Sequence, residues 1–339
     1  KVTGVQTCAL PISPAAPSHP GGAALPARKK RTILDLHSNK RKGIPITMLT
    51  AHDYPSARFL ESCGAAPPHS PDSPPTTLAA AKAAAVLRGV DICLVGDSLA
   101  MVACGYASTT SLGLDELLYH CRSVARGCHS SLLVADMPFG TFTGSTDSGV
   151  ANAVRIIQEG NMDAVKIEGG VEVVDLVTRL TSVGIPVMGH VGLTPQRQSA
   201  LSGFRVQGKT AESAMRVWTD AQAIEKAGAF AIVLEAVPSR LAAFISKRLT
   251  VPTIGIGAGV DCGGQVLVQL DMLGVSSLGK GPKFLKKYVN WEEQATSAIG
   301  RYVEDVREGA FPEEKHGYPM GDVEWEGFLA AVDGEAVVI

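Results

Sequence analysis

No stretch of the 339-residue chain approaches 18 unbroken apolar residues, so the sequence offers no candidate helical membrane span. It also has no C-x-x-C pair. Its seven cysteines are odd in number and scattered, which argues against a disulfide frame or a zinc knuckle and predicts reduced, mostly buried thiols in an intracellular protein. Charge of one sign is missing too: 31 Lys and Arg face 33 Asp and Glu, leaving a net charge of −2. That balance excludes a basic nucleic-acid surface and a polyacidic tail. What remains is 45% hydrophobic and 19% charged, the make-up of a globular enzyme with a sizeable core. The GIGAG stretch at 255–259 lacks the third glycine and the following helix of a dinucleotide fingerprint. A tight turn or an anion nest at a rim suits it better.

Composition divides the chain. Residues 1–27 are rich in Pro, Ala, Gly and Ser and hold no acid; four bases, Arg28-Lys29-Lys30-Arg31, follow, and the first acid is Asp35. Such a leader, taken here as 1–30, resembles an organelle transit region or a disordered extension. A second break spans 65–88. Its first part, AAPPHSPDSPP, has five prolines that remove backbone donors, and its second, TTLAAAKAAAVLR, is an Ala-rich helix former. The segment is expected to be a surface insertion between two core elements. The tail, 319–339, shows only a short helical pattern around Glu324–Val332.

Between these breaks one design repeats. Apolar runs occur at 45–53, 91–98, 131–140, 163–170, 185–195, 230–238, 251–259 and 265–274, each closing in a polar or glycine-bearing turn. Continuous rather than alternating apolarity points to strands buried on both faces, hence parallel ones. Helical patterns at 114–127, 148–160, 171–184 and 211–228 separate several of them. Eight strands with intervening helices predict a (β/α)8 TIM-type barrel over 31–318, entered through an N-terminal helix. An open doubly wound sheet fits less well, because polar residues end nearly every run instead of one switch point. The eighth run, QVLVQLDMLG, reads equally as the start of a helix.

In a barrel the C-terminal strand ends meet at one mouth, which here would gather Asp53, Asp97, Ser98, Asp136, Lys166, Glu168, His190 and Glu235. Any one strand-end Asp reads more simply as a turn or helix cap. Crowded together, however, these acids would repel one another without a cation or an anionic ligand. Asp97, Asp136 and Glu168 are hard oxygen donors of the kind that bind Mg²⁺. Lys166 falls on the same side of its strand as Glu168, free to neutralise a substrate carboxylate or to form a structural ion pair. Glu235 has apolar neighbours, which raise a carboxyl pKa toward that of a general base. His190 reads either as a satisfied core histidine or as a group that polarises a developing alkoxide.

These residues sit in the stretches TAHDYPSA, LVGDSLAMV, LLVADMPFG, VKIEGG, MGHVGLTPQ, GFRVQGK, VLEAVP, IGIGAG, GQVLVQLDMLG and PKFLKKY. In that order they resemble the ketopantoate hydroxymethyltransferases over roughly 31–64 and 89–318. The resemblance implies a (β/α)8 enzyme, often a decamer, that uses 5,10-methylenetetrahydrofolate and Mg²⁺ on the way to pantothenate and coenzyme A. It implies Asp97 and Asp136 as metal ligands with Glu168 in or beside the Mg²⁺ shell. Substrate contacts would come from Asp97, Ser98, Asp136 and Lys166, with Glu235 as proton acceptor. The expected partners are small molecules and further copies of the chain, not nucleic acid or membrane. The wording of MLTAHDYPSA leans toward mitochondrial members, with the cytoplasm as the alternative. Two other readings stay open. One is a metal-enolate lyase acting on another 2-oxo acid, which should carry a reactive loop cysteine that the sequence does not obviously supply. The other is a chain inactivated by its 65–88 insertion.

Overall fold

Strands buried on both faces are what the apolar runs become. In the computed structural model, which describes residues 28–63, 89–200, 203, 205–275 and 281–335, β2 (Ile92–Val95), β3 (Leu132–Asp136) and β4 (Ala164–Glu168) are buried at every position. With β1 (Ile46–Thr50), β5 (Val187–Gly192), β6 (Ala231–Glu235), β7 (Thr253–Ile256) and β8 (Gly264–Leu267) they form a closed barrel in chain order. Every pairing is parallel, and β1 against β8 closes the ring. This is the (β/α)8 barrel that the repeat predicts.

Strand side chains alternate between faces, so each strand sorts its residues into two cores. Ile92, Leu94, Leu132, Val134, Ala164, Met188, Ala231 and Val233 fill the barrel interior. Their sequence neighbours Cys93, Val95, Leu133, Ala135, Val165, Ile167, Ile232 and Leu234 pack outward under the helices. The same period puts Asp136, Lys166, Glu168, His190 and Glu235 on the inward side, above the apolar layers.

Helix α1 (Ile33–Lys42) starts in a capping box between Thr32 and Asp35 and stops at Gly43, whose φ of 64° suits glycine. It sends Leu36 into the inner core beside Ile46 and Phe230, closing the end opposite the mouth. The ring continues with α2 (Tyr54–Ser62), the single turn α3 (Leu99–Val102), α4 (Leu114–Gly127), α5 (Thr146–Gln158), α6 (Val174–Ser182), α7 (Ala211–Lys226) and α8 (Ser239–Arg248). The eighth run splits. After β8 the chain turns into α9 (Gln269–Met272), because Gln269 is tied inward, its backbone N–H donating to Thr50 Oγ1 and its side chain to the Ser56 carbonyl. Beyond the barrel, α10 (Trp291–Glu308) has no buried residue, and α11 (Asp322–Glu335) includes the helix expected in the tail. The leader up to residue 27 and the expected insertion at 65–88 lie outside the described residues.

Candidate active site

Asp97, Ser98, Asp136, Lys166, Glu168, His190 and Glu235 line one cavity of about 140 Å³ at the C-terminal strand ends. Its walls are largely apolar, from Met48, Leu94, Val233, Ile256 and Val266, with Phe284 and Leu285 from the segment after α9; Thr50, Thr109 and Asp271 add polar groups to the lining. Two larger hollows, of 480 and 620 Å³, flank Cys63 and Val90 and hold none of these strand-end groups. Asp53 does not join the set; it caps α2, accepting a hydrogen bond from Ser56 N at 2.8 Å. For that residue the cap reading holds. Ser98 reaches the mouth as the residue that opens α3.

Charge is arranged in pairs. Asp136 accepts from the Asp97 backbone N–H through Oδ2 (2.9 Å), and its Oδ1 faces Lys166 Nζ at 2.8 Å. Both partners of this ion pair are about 5% exposed. Burial pulls the Lys166 pKa down, but Asp136, Glu168 and Asp97 more than offset it, so the ammonium stays charged. Lys166 also meets His190 Nδ1 at 3.1 Å. An ammonium only donates, so Nδ1 is the acceptor and the ring proton sits on Nε2. Burial first, and Lys166 second, push the His190 pKa well below its ordinary value, keeping the ring neutral. Its Nε2 lies 3.1 Å from Glu235 Oε2, close but not aligned as a hydrogen bond.

Glu235 ends β6 among buried Val233, Leu234, Ala236 and Val237. Burial raises its carboxyl pKa to about 7. The next residue, Ala236, has a φ of 48°, a left-handed conformation uncommon for a residue with a Cβ. Hydrogen bonds from Ala236 N to Ile256 O and from Gln207 N to Ala236 O hold it there. This turn ends β6 just beyond the carboxylate.

Burial and repulsion from Asp136 raise the Asp97 pKa, and burial with Asp97 raises that of Glu168. A buried carboxylate such as Asp97, pushed toward its neutral form beside a second one, is relieved by a hard cation, and Mg²⁺ binds through one or two carboxylates while keeping waters and substrate oxygens. Asp97 and Asp136 fit that need. Among the described residues no three His, Cys, Asp or Glu side chains stand together as a ready-made metal cage. Glu168 is held otherwise, its Oε2 accepting the Gln196 backbone N–H at 3.0 Å and its Oε1 lying 3.5 Å from His190 Nδ1. GIGAG forms a tight rim turn, in which the ring of Phe284 packs on Gly257 (φ 64°) where a Cβ would stand.

Sequence reasoning missed Gln196. It is 5% exposed, and its side-chain amide donates to Asp97 Oδ2 at 2.8 Å and to the Met137 carbonyl at 2.9 Å. The signal available was its place in MGHVGLTPQ, one turn past the histidine strand, but a neutral amide carries no titration pattern to mark it.

The sequence model of ketopantoate hydroxymethyltransferase matches residues 75–314, opening inside the expected insertion. A 3-methyl-2-oxobutanoate hydroxymethyltransferase of Emericella nidulans is 46% identical over 92% of this chain and 83% of its own length. Proteins of the same name from Enterococcus faecalis (43%; 86% of this chain, 97% of that one) and Pelobacter propionicus (46%; 86% and 98%) are similar over nearly their whole lengths.

Proposed function

The chain belongs to the ketopantoate hydroxymethyltransferase family, and from that premise we propose that it moves a hydroxymethyl group from 5,10-methylenetetrahydrofolate to 3-methyl-2-oxobutanoate, giving 2-dehydropantoate. The observation that carries this reading is the pairing of a carboxylate with a raised pKa, Glu235, with the Asp97–Asp136 pair in one small, largely apolar cavity. Its 140 Å³ is well below the roughly 300–1,000 Å³ that takes drug-sized ligands. That space suits a five-carbon oxo acid and leaves the bulk of the folate outside.

Glu235 takes the C3 proton of the oxo acid, a role its raised pKa supports near neutrality. Water releases the methylene unit of the folate at the formaldehyde level, breaking both C–N bonds as its two hydrogens pass to the two folate nitrogens and tetrahydrofolate leaves. The carbon nucleophile adds to that carbon, and the new alkoxide takes back the proton held on Glu235. Lys166 and Ser98 bind the oxo acid together with Asp97 and Asp136, the ammonium set against the substrate carboxylate. His190, neutral and carrying its proton on Nε2, stands beside the developing charge as a donor. A Mg²⁺ held by Asp97 and Asp136, with Glu168 beside them, would act as a Lewis acid on the 2-oxo group. Val233, Ile256 and Phe284 limit water around the reacting carbon.

The chain is also proposed to assemble with copies of itself. Helix α10 supports this, because it buries nothing within one chain while exposing Trp291, Ile299, Tyr302 and Val306. The deciding experiment on activity is a steady-state assay of the purified chain with the oxo acid, methylenetetrahydrofolate and Mg²⁺. Deuterium exchange at C3 without folate is followed in parallel. Turnover that needs all three components, and exchange that needs no folate, are expected. A folded protein showing neither would overturn the reading.

A further inference from the structure

The two members of the carboxylate pair are held differently. Asp136 is engaged at both oxygens, Oδ2 by the Asp97 backbone N–H and Oδ1 by Lys166 Nζ. For Asp97 the tie at Oδ2 is the amide of Gln196, and among the described residues nothing hydrogen-bonds its Oδ1. Gln196 sits in the 3-10 turn Pro195–Arg197 that follows β5. Its backbone N–H donates to Glu168 Oε2, and its side-chain amide donates to Asp97 Oδ2 and Met137 O. One residue therefore ties together the ends of β2, β3 and β4. The amide can face only one way, since both of its near partners are acceptors and the nitrogen alone can satisfy them.

We propose that Gln196 is a positioning residue, which fixes the Asp97 carboxylate by Oδ2 so that Oδ1 is the oxygen presented to the metal and substrate. The inference rests on the reading of Asp97 as a ligand in the site. Hydrogen bonds to charged groups are among the stronger ones, and in a buried site this one selects a single rotamer of Asp97. The two-point hold explains why a glutamine is suited to the place. Its length reaches two strand ends at once, and its neutrality adds no charge to a crowded set of acids.

The test uses Gln196→Met, which keeps the side-chain length, deletes both amide donors and leaves the backbone bond to Glu168 intact. Gln198→Met is the control. That side chain ties the same loop to Ser108 Oγ at 2.8 Å and does not touch the carboxylates. Calorimetric Mg²⁺ titration should show affinity weakened about ten- to a hundredfold in Gln196→Met and changed less than about twofold in Gln198→Met. The KM for the oxo acid should rise with it, while deuterium exchange at C3 persists at saturating substrate and metal. Crystal structures of both variants should show the Asp97 carboxylate rotated only in Gln196→Met. An Asp97 that keeps its orientation in Gln196→Met, or an equal loss of affinity in the control, overturns the proposal. If the unaltered chain gives no heat with Mg²⁺, the metal reading fails, and the orientation of Asp97 in the two crystal structures still decides the role of Gln196.

Discussion

A carboxylate at the end of β6 can serve as a base near neutrality only if its surroundings disfavour the charged form without supplying a partner that restores it. Glu235 meets both conditions: burial raises its pKa to about 7, and its nearest polar neighbour is a histidine held neutral by burial and Lys166. Glu235→Gln keeps the shape but cannot accept a proton. Turnover should fall roughly 10²–10⁴-fold while Mg²⁺ and the oxo acid still bind. Exchange of the C3 proton with deuterated water should fall in step, and exchange at the unaltered rate would remove Glu235 from the role. The same pKa sets a pH dependence. The base acts as the carboxylate, so activity should rise with pH through about 7 and be lost below it as Glu235 protonates. A kcat/KM profile, flat from pH 5.5 to 8.5, would contradict this. Most of these groups were legible because a period of two carries Asp136, Glu168 and Glu235 inward from the strands they end, and Lys166 inward two residues before Glu168. Gln196 was not, because its contacts depend on the course of a loop that no periodicity describes.

At the scale of elements, the strand runs were legible from their apolarity, and the exceptions have local causes. The eighth run divides at Val268 because its alternating Val and Leu satisfy a strand or a helix alike, and only the inward ties of Gln269 to Thr50 and Ser56 settle the change. Asp53 looked like the other strand-end acids, yet Ser56 three residues later turns it into a helix cap. The junction of β5 and β6 shows how backbone shape supports the site. Gly192, the last residue of β5, pairs with Glu235 and has a φ of 95°. A Cβ there would strike the Glu235 carbonyl oxygen and approach Val237. Gly192→Ala is therefore strained twice, by its dihedral and by the collision, at a cost of about 2–4 kcal/mol. Its melting temperature should drop by several degrees, and kcat should fall because Glu235 moves with its backbone. A variant that melts and turns over like the unaltered chain would show that the junction is more compliant than this geometry allows.

At the scale of the whole molecule, two features set this chain apart from a bare barrel: the exposed α10–α11 arm and the segment 65–88. The arm leads to a prediction about assembly. Sedimentation should give a mass several times the 35.4 kDa of one chain, and a strictly monomeric protein would contradict the proposed self-association. The segment leads to a prediction about folding. Its flanks meet the barrel on their own terms, since α2 ends at Ser62, β2 begins at Ile92, and Met48, Leu49 and Thr50 already pair with Ile92, Cys93 and Leu94. Cys63 and Gly89 line one and the same cavity. Lengthening a loop adds closure entropy only slowly, and its Pro-rich first part has little apolar surface to bury. Deleting 65–88 should therefore leave the barrel folded, with its melting temperature unchanged or raised and the site residues untouched. The match to the family opens at residue 75, inside this segment, which makes the outcome informative for each half. Deleting 65–74 and 75–88 separately would locate any loss. A drop of more than about 5 °C, roughly 1–2 kcal/mol for a domain of this size, would show that the deleted half belongs to the core.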